Sequence, residues 1–159
     1  NDIATPYQFA LENEEAMAAL AAKLAGIAEP GDVIALIGDL GAGKTSFARA
    51  FVAAKGGDGE VPSPTFTLVQ LYEFAGGDVY HFDLYRLEEA EEIFELGIED
   101  AMSDGISLIE WPDRMGAYLP FERIDIVLGI GEDETVRNVE LTGRGDSWTE
   151  RLAKAFQDG

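Results

Sequence analysis

The stretch that decides the fold is VIALIGDLGAGKT, which runs from Val33 to Thr45. Its first part, residues 33–37, is a short continuous apolar run, which is typical of a strand buried on both faces of a sheet. The next six residues, Gly38–Gly43, include three glycines, so they predict a loop. A helical apolar pattern follows over Lys44–Ala54. The sequence therefore predicts a buried strand, a glycine loop and a helix in direct succession.

The loop and the start of the helix match the pattern G-x-x-x-x-G-K-[ST] at every fixed position. Glycines let several backbone N–H groups converge on an anion, and the helix adds the positive end of its dipole. We expect Lys44, the lysine of this motif, to reach the β- and γ-phosphates of a nucleotide, and the hydroxyl of Thr45 to ligate Mg²⁺. The predicted phosphate-binding residues are Gly38, Asp39, Leu40, Gly41, Ala42, Gly43, Lys44, Thr45 and Ser46.

Helical and strand patterns alternate along the rest of the chain. We expect a first helix capped by Asn13, a hairpin of Thr67–Phe74 with Val79–Asp83, an acidic helix over Glu88–Leu96, a buried strand Ile106–Glu110, a second hairpin of Arg123–Ile130 with Thr135–Thr142, and a last helix capped by Ser147. This alternation predicts a single α/β domain over residues 1–159, with a mostly parallel central sheet and antiparallel hairpin additions.

The charge balance limits the possible partners. Eleven Lys and Arg oppose 31 Asp and Glu, which gives a net charge of −20, and no two basic residues are adjacent. This excludes a basic, phosphate-tracking surface as the main binding device, so a partner would have to hold any nucleic acid. The absence of cysteine excludes disulfides and thiolate chemistry, and one histidine excludes a multi-histidine zinc site. We expect any metal to be held by oxygen ligands.

The sequence as given shows no membrane-spanning segment and no secretory signal. The longest apolar run, Ala16–Ala22, is far shorter than the roughly 20 residues that span a bilayer. Asn1–Glu15 is acidic and lacks a basic segment followed by an apolar one. We therefore expect a cytoplasmic protein with no membrane contact.

Two predicted strands end in carboxylates. ISLIE at 106–110 approximates the four apolar residues and carboxylate of a Walker B element, with Ser107 as its one weak position, so Glu110 is a candidate Mg²⁺ ligand. Ligands of open α/β sheets lie beyond the carboxyl ends of the strands, where Glu110 is expected. The alternative is an ordinary exposed glutamate at a strand end.

Asp83 ends the preceding strand, and several roles are compatible with it. It could orient an attacking water or hold Mg²⁺ through water, or it could cap a helix or pair with Arg86. Arg86 in turn either neutralises Asp83 or binds phosphate. His81 in the same strand suits a hydrogen-bonded core residue as well as a catalyst.

Thr65 and Trp111 are further candidates. Thr65 lies in PSPTFT at 62–67, and a loop hydroxyl there could sense the γ-phosphate of ATP. The alternative is a strand start whose direction is set by Pro64. Trp111 follows Glu110, and it suits stacking on a ligand or a partner as well as plain burial.

Together these motifs resemble the TsaE (YjeE) family of small bacterial P-loop ATPases. The matching stretches, in family order, are GDLGAGKT at 38–45, SPTFTLV at 63–69, HFDLYRL at 81–87, LGIED at 96–100 and ISLIEWPDR at 106–114. The family acts in threonylcarbamoyladenosine modification of tRNA beside the anticodon, with TsaB and TsaD, after TsaC makes the threonylcarbamoyl donor. The resemblance implies a P-loop NTPase-like three-layer sandwich and a Mg²⁺-dependent ATPase that binds ATP and ADP and whose activity is associated with its partner complex. Because the sequence offers little positive charge near the site besides Lys44 and Arg86, we expect slow hydrolysis by the protein alone and stimulation by its partners.

Carried over by matching motif, the resemblance implies that Lys44 is a phosphate ligand, that Thr45 and Glu110 lie at Mg²⁺, and that Asp83 lies in the catalytic region. It implies contact with tRNA only through the partner proteins. Two other functions stay open. A small-molecule kinase on the same fold is disfavoured because few basic residues follow Lys44. A nucleotide-dependent binding module without turnover is compatible with the sequence.

Overall fold

A computed structural model describes residues 6–39, 41–56, 68–74, 77–133 and 135–156. The strands are β1 (Tyr7–Leu11), β2 (Val33–Ile37), β3 (Val69–Tyr72), β4 (Asp78–Asp83), β5 (Gly105–Glu110), β6 (Arg123–Ile130) and β7 (Arg137–Arg144). The α-helices are α1 (Glu14–Ile27), α2 (Lys44–Lys55), α3 (Ile98–Asp104) and α4 (Asp146–Phe156). Two 3₁₀ segments cover Ala90–Leu96 and Pro112–Tyr118.

The described strands form one seven-stranded sheet in the order β1-β7-β6-β2-β5-β4-β3. The apolar strand β2 lies at its centre and is parallel to both neighbours, β5 and β6. β4 is parallel to β5, whereas β3, β7 and β1 add antiparallel pairs. This confirms the prediction of a mostly parallel central sheet with antiparallel hairpin additions.

Side chains of the central strands enter two apolar cores, one on each face of the sheet. On β2, Leu36 belongs to the core built with α1, α2 and α4, whereas Val33 belongs to the core built with α3 and the 3₁₀ segments. Such alternation is what a strand buried on both faces requires. Helical layers therefore cover both faces, and the predicted three-layer α/β sandwich is confirmed.

The sequence predicted the N-terminal ends of α1 and α2 correctly, and that of α4 incorrectly. Asn13 caps α1 as predicted, because its side chain accepts a hydrogen bond from the N–H of Ala16 at 2.9 Å. α2 begins directly after Gly43, as predicted. The cap predicted at Ser147 is wrong, since α4 begins at Asp146 and the Ser147 hydroxyl accepts hydrogen bonds from Arg151. In the described part of the chain, no helix is both long enough and apolar enough to cross a membrane.

Three elements were not predicted, namely β1, α3 and the 3₁₀ segment Pro112–Tyr118, and several predicted elements have different bounds. β1 pairs with β7, more than a hundred residues away. Its side chains alternate in burial, a period-2 pattern of five residues that the sequence analysis did not assign to a strand. The unpredicted helix α3 is short, with only seven residues. The predicted acidic helix is a 3₁₀ segment over Ala90–Leu96, and β7 begins at Arg137 instead of Thr135.

Candidate functional site

Three parallel strands, β2, β4 and β5, end at one edge of the sheet, and α2 begins there. Asp83 ends β4 and Glu110 ends β5, and the two are direct partners in the strand register. Glu110 is also the register partner of Leu36 in β2, the strand on the other side of β5. The loop after β2 and the two carboxylates line one cavity. The glycine loop, Asp83 and Glu110 therefore meet at the carboxyl ends of the strands.

The path of the glycine loop depends on two of its glycines. A Cβ at Gly38 would lie 2.5 Å from the backbone oxygen of Leu128, so no larger residue fits without a shift. Gly43 has a φ of 104°, which L side chains rarely adopt, and a Cβ there would also meet the Met17 side chain at 3.3 Å. This backbone leads into the first turn of α2, whose N–H groups have no partners within the helix.

Lys44 is only 4% exposed although it carries an ammonium group. Its Nζ donates a hydrogen bond to the carbonyl oxygen of Gly38 and lies 3.5 Å from the centre of the Trp111 ring. Desolvation lowers the pKa of Lys44, and the negative charges of Glu110 and Asp83 oppose this shift. The ammonium is thus held at the start of α2, where an anion in the loop would meet it.

Glu110 is 3% exposed, so the alternative of an ordinary exposed strand-end glutamate is wrong. The hydroxyl of Thr45 donates to its two carboxylate oxygens at 3.1 and 3.0 Å. Nε2 of His81 lies 2.6 Å from Oε2 of the same carboxylate. A buried carboxylate needs such partners to offset its desolvation. Thr45 and Glu110 also supply a hydroxyl and a carboxylate at one point, which are oxygen donors of the type that Mg²⁺ prefers.

Asp83 is half-buried beside Glu110. Its Oδ1 accepts a hydrogen bond from the N–H of Tyr85 at 3.2 Å, which fixes the turn after β4 and does not cap a helix. Desolvation, followed by the charge of Glu110, raises the pKa of Asp83. Arg86 is exposed, and although the structure describes both residues, it forms no ion pair between Arg86 and Asp83. Asp83 is therefore a carboxylate whose affinity for a proton is increased.

Trp111 forms one wall of the site. Its backbone is in the left-handed region with φ 59° and ψ 53°, a conformation that residues other than glycine rarely adopt. The indole packs against the Tyr85 ring at a centroid distance of 5.0 Å and against the ammonium of Lys44. Such backbone strain is concentrated at functional sites in proteins. Trp111 is thus part of the site and is not simply buried in the core.

These groups surround a cavity of about 300 Å³. Its lining residues are Gly41, Gly43, Lys44, Thr45, Ser46, Asp83, Tyr85, Glu110, Trp111 and Arg137. The structure therefore brings together most of the residues that the sequence singled out. Gly38, Asp39 and Ala42 shape the loop without lining this cavity, and Leu40 and Thr65 lie outside the described residues.

Arg137 and Tyr85 line the cavity but were not among the predicted site residues, although Tyr85 lies within the stretch HFDLYRL at 81–87. Arg137 begins β7, and its Nη2 lies 3.4 Å from the carbonyl oxygen of Gly41. It reaches the loop because β6 is parallel to β2 and pairs its last residue, Ile130, with Arg137. No local signal marks this arginine, since only the tertiary return of the hairpin brings it to the site.

A second cavity, of about 760 Å³, adjoins the first and shares Gly43, Ser46 and Arg137 with it. The beginning of α1 and one face of α2 form its other walls. The remaining lining residues are Asn13, Glu14, Glu15, Met17, Ala18, Arg49, Ala50 and Thr135. The site thus combines a small polar compartment at the loop with a larger compartment of mixed polarity beside it.

Known proteins share both the sequence and the fold. The chain matches the sequence model of a family described as "Threonylcarbamoyl adenosine biosynthesis protein TsaE" over residues 11–139. A tRNA threonylcarbamoyladenosine biosynthesis protein TsaE from Haemophilus influenzae is 46% identical over 110 residues, which are 69% of this chain and 68% of that protein. The TsaE protein of Bacillus subtilis is 39% identical over 138 residues, 86% of this chain and 85% of that protein.

Among solved structures, the crystal structure of YdiB from Bacillus subtilis superposes with a TM-score of 0.80 at 29% sequence identity, and the match covers 99% of both chains. The residues matched to the family include the loop, both carboxylates and the start of β7. The chain therefore belongs to the TsaE family of threonylcarbamoyl adenosine biosynthesis proteins.

Proposed function

We propose that this protein binds ATP with Mg²⁺ and hydrolyses it in support of the threonylcarbamoyl modification of tRNA adenosine beside the anticodon, together with TsaB and TsaD. One observation carries the proposal. Lys44 and Thr45, at the start of α2, line the same cavity of about 300 Å³ as Asp83 and Glu110, at the ends of two parallel strands. A cationic phosphate contact and two carboxylates around one small space are what phosphoryl transfer requires.

The phosphates would bind at the glycine loop. There the ammonium of Lys44 would exchange the Gly38 carbonyl for phosphate oxygens, and the first N–H groups of α2 would add neutral donors. The larger adjoining cavity would take the nucleoside, because it opens directly from the loop at Gly43 and Ser46. Its Met17 and Ala50 side chains offer apolar contacts to a base.

The residues at the site fit a magnesium ion. Mg²⁺ in nucleotide sites is usually held by one or two protein groups in addition to phosphate oxygens and water. Thr45 and Glu110 supply a hydroxyl and a carboxylate that already touch each other. When bound, the ion would neutralise charge on the phosphates and polarise the bond to be broken.

Asp83 is proposed to orient the attacking water. Its raised pKa makes it a better proton acceptor than an ordinary aspartate. The hydrogen bond from the N–H of Tyr85 engages Oδ1 and holds the carboxylate in place. This leaves Glu110 for the metal and Asp83 for the water, so the two neighbouring carboxylates have separate roles.

We expect slow hydrolysis by the protein alone. The described lining of the small cavity contains two cationic side chains, Lys44 and Arg137, and Arg137 is directed at a carbonyl of the loop. An arginine inserted by a partner contributes roughly 10³- to 10⁵-fold in rate in related chemistry. A partner that supplies such a charge would therefore stimulate turnover.

The test is phosphate release from ATP by the isolated protein and during a titration with TsaB and TsaD. We expect slow basal turnover and clear stimulation, both abolished by Glu110→Ala. Fast turnover that does not respond to the partners would contradict the partner dependence. Radiolabelled γ-phosphate transferred to a small-molecule acceptor would indicate a kinase, and nucleotide binding without phosphate release under any condition would indicate a binding module.

Direct binding of tRNA is a separate test of the charge argument. With a net charge of −20, the protein should bind free tRNA weakly at physiological salt. Its acidic surface should instead favour docking on a basic face of a partner protein. Tight binding of tRNA by the isolated protein would refute this part of the proposal.

A further inference from the structure

His81 is a fully buried polar residue to which the proposed mechanism gives no role. It lies in the middle of β4 and is 0% exposed. Its Nε2 lies 2.6 Å from Oε2 of Glu110, two positions along the neighbouring strand from its own register partner, Leu108. Diagonal neighbours on adjacent strands are within reach of long side chains. The sheet register therefore brings the imidazole to the carboxylate that is proposed to bind Mg²⁺.

The hydrogen bond fixes which nitrogen carries the proton of a neutral imidazole. An ionised carboxylate only accepts hydrogen bonds, so Nε2 must be the donor at this distance. Nδ1 is buried and has no hydrogen-bond partner among the described residues. A proton on Nδ1 would leave a buried donor unsatisfied, which is unfavourable. The neutral tautomer with its proton on Nε2 meets both conditions.

We propose that His81 is a positioning residue for the metal site, an inference that rests on the proposed function. Its Nε2–H holds Oε2 of Glu110, so that Oε1 is available to the ion. The oxygen of Thr45 can bind the same ion through a lone pair while its O–H still donates to Glu110. The contact with His81 persists as well. Hydrogen-bonded partners of metal ligands commonly orient them in this way.

The nearby ammonium makes this support necessary. Glu110 provides the largest attractive charge acting on Lys44. Without His81, the hydroxyl of Thr45 alone would hold the carboxylate. Glu110 would then turn toward the ammonium, and that ion pair would occupy both the metal ligand and the phosphate ligand. Because His81 holds Glu110 on the β4 side, Lys44 stays on the Gly38 and Trp111 side.

Two substitutions at His81 separate positioning from packing. In His81→Gln, the side-chain amide nitrogen stands near the position of Nε2 and can still donate to Glu110. In His81→Asn, one methylene shorter, the nitrogen stands near the position of Nδ1 and cannot reach it. Both variants replace a buried ring by a smaller amide, so a purely structural role predicts similar defects in the two.

The measurement is the Mg²⁺ concentration needed for half-maximal enhancement of binding of a non-hydrolysable ATP analogue, with affinity in EDTA as the baseline. We expect His81→Asn to need about 10- to 100-fold more Mg²⁺ than the wild type. His81→Gln should remain within a few-fold of the wild type and keep the wild-type affinity in EDTA. His81→Asn should also bind the analogue more weakly in EDTA, because the carboxylate of Glu110 then pairs with Lys44. Thermal melting should show similar losses for both.

Ser107→Ala serves as the matched control. Ser107 is a fully buried polar residue on β5 whose Oγ has no hydrogen-bond partner among the described residues. The Ser107→Ala variant should have the same Mg²⁺ requirement as the wild type. Equal Mg²⁺ requirements for the glutamine and asparagine variants, whether shifted or not, would overturn the inference. If the wild-type protein binds the analogue without any response to Mg²⁺, the proposed metal site itself fails.

Discussion

Replacing Lys44 with methionine separates the packing of this side chain from its charge. Methionine keeps an unbranched apolar stem that can pack against Trp111, but it has no ammonium to donate to the Gly38 carbonyl or to a phosphate. Because the wild-type residue is only 4% exposed, the substitution acts almost entirely inside the site. We expect nucleotide affinity to fall while the fold is retained.

The size of the loss follows from the contacts of the ammonium. A hydrogen bond involving a charged group contributes about 1.5–3 kcal/mol, which corresponds to about a 10- to 150-fold change in the Kd for ATP. In the free protein the ammonium already bonds Gly38 and contacts Trp111, so ATP binding exchanges contacts instead of only adding them. The expected loss therefore lies toward the lower end of this range.

The same substitution should not lower the free energy of unfolding at neutral pH. Desolvation lowers the pKa of Lys44, which means that burying its charge is unfavourable, and methionine removes this cost. The folded wild-type protein releases this proton at a lower pH than the unfolded chain does. Its stability should therefore rise relative to that of the variant as the pH increases toward 10.5.

Calorimetric titration with ATP analogues and thermal melting at several pH values measure both effects. Lys23→Met is the matched control, because Lys23 is exposed and its Nζ lies 4.6 Å from the centre of the Phe156 ring, away from the site. An unchanged affinity of Lys44→Met would refute the phosphate role of Lys44. An equal loss of affinity in Lys23→Met would show that the effect is not local.

Two further substitutions test other parts of the site. Asp83→Asn should slow ATP hydrolysis with little change in ADP affinity, and wild-type turnover would contradict the role given to Asp83. The pKa of Asp83 is raised above 3.8 in the folded state, so the folded protein becomes less stable as the pH rises from 3.8 through the folded-state pKa. Asp83→Asn should therefore raise the Tm at pH 7 but not below pH 3.8. Gly38→Ala would place a Cβ 2.5 Å from the backbone oxygen of Leu128, so urea unfolding should show a loss of about 1–3 kcal/mol together with weaker ATP binding. Gly129→Ala, whose Cβ would meet no atom within 4 Å, should be tolerated, and an equal loss there would refute the steric argument.

The parts of the fold that the sequence predicted are those with strong local signals. The apolar run of β2, the glycine loop and the start of α2 are adjacent in the chain, so one motif specifies all three. Glu110 could be placed at the site because it ends an apolar strand, and the ends of parallel strands meet.

The features that were missed depend on contacts between distant segments. β1 exists as a strand through its pairing with β7, and Arg137 reaches the loop through the same hairpin. The contact between His81 and Glu110 depends on the register of β4 against β5, which a single sequence does not reveal. Ser147 was a plausible cap by residue type, but it lies inside α4, which begins at Asp146, and the Ser147 hydroxyl accepts a hydrogen bond from Arg151 instead.

Because Lys44 contacts Trp111, the intrinsic fluorescence of Trp111 should depend on what is bound at the loop. Indole fluorescence responds to a nearby charge, and the ammonium 3.5 Å from the Trp111 ring has to change its partners when an anion enters the loop. The other tryptophan, Trp148, is buried beneath Arg151 on α4 and lines neither of the two cavities at the loop. In a Trp148→Phe background the emission of Trp111 would therefore follow occupancy of the loop in unlabelled protein, on the time scale of a stopped-flow experiment.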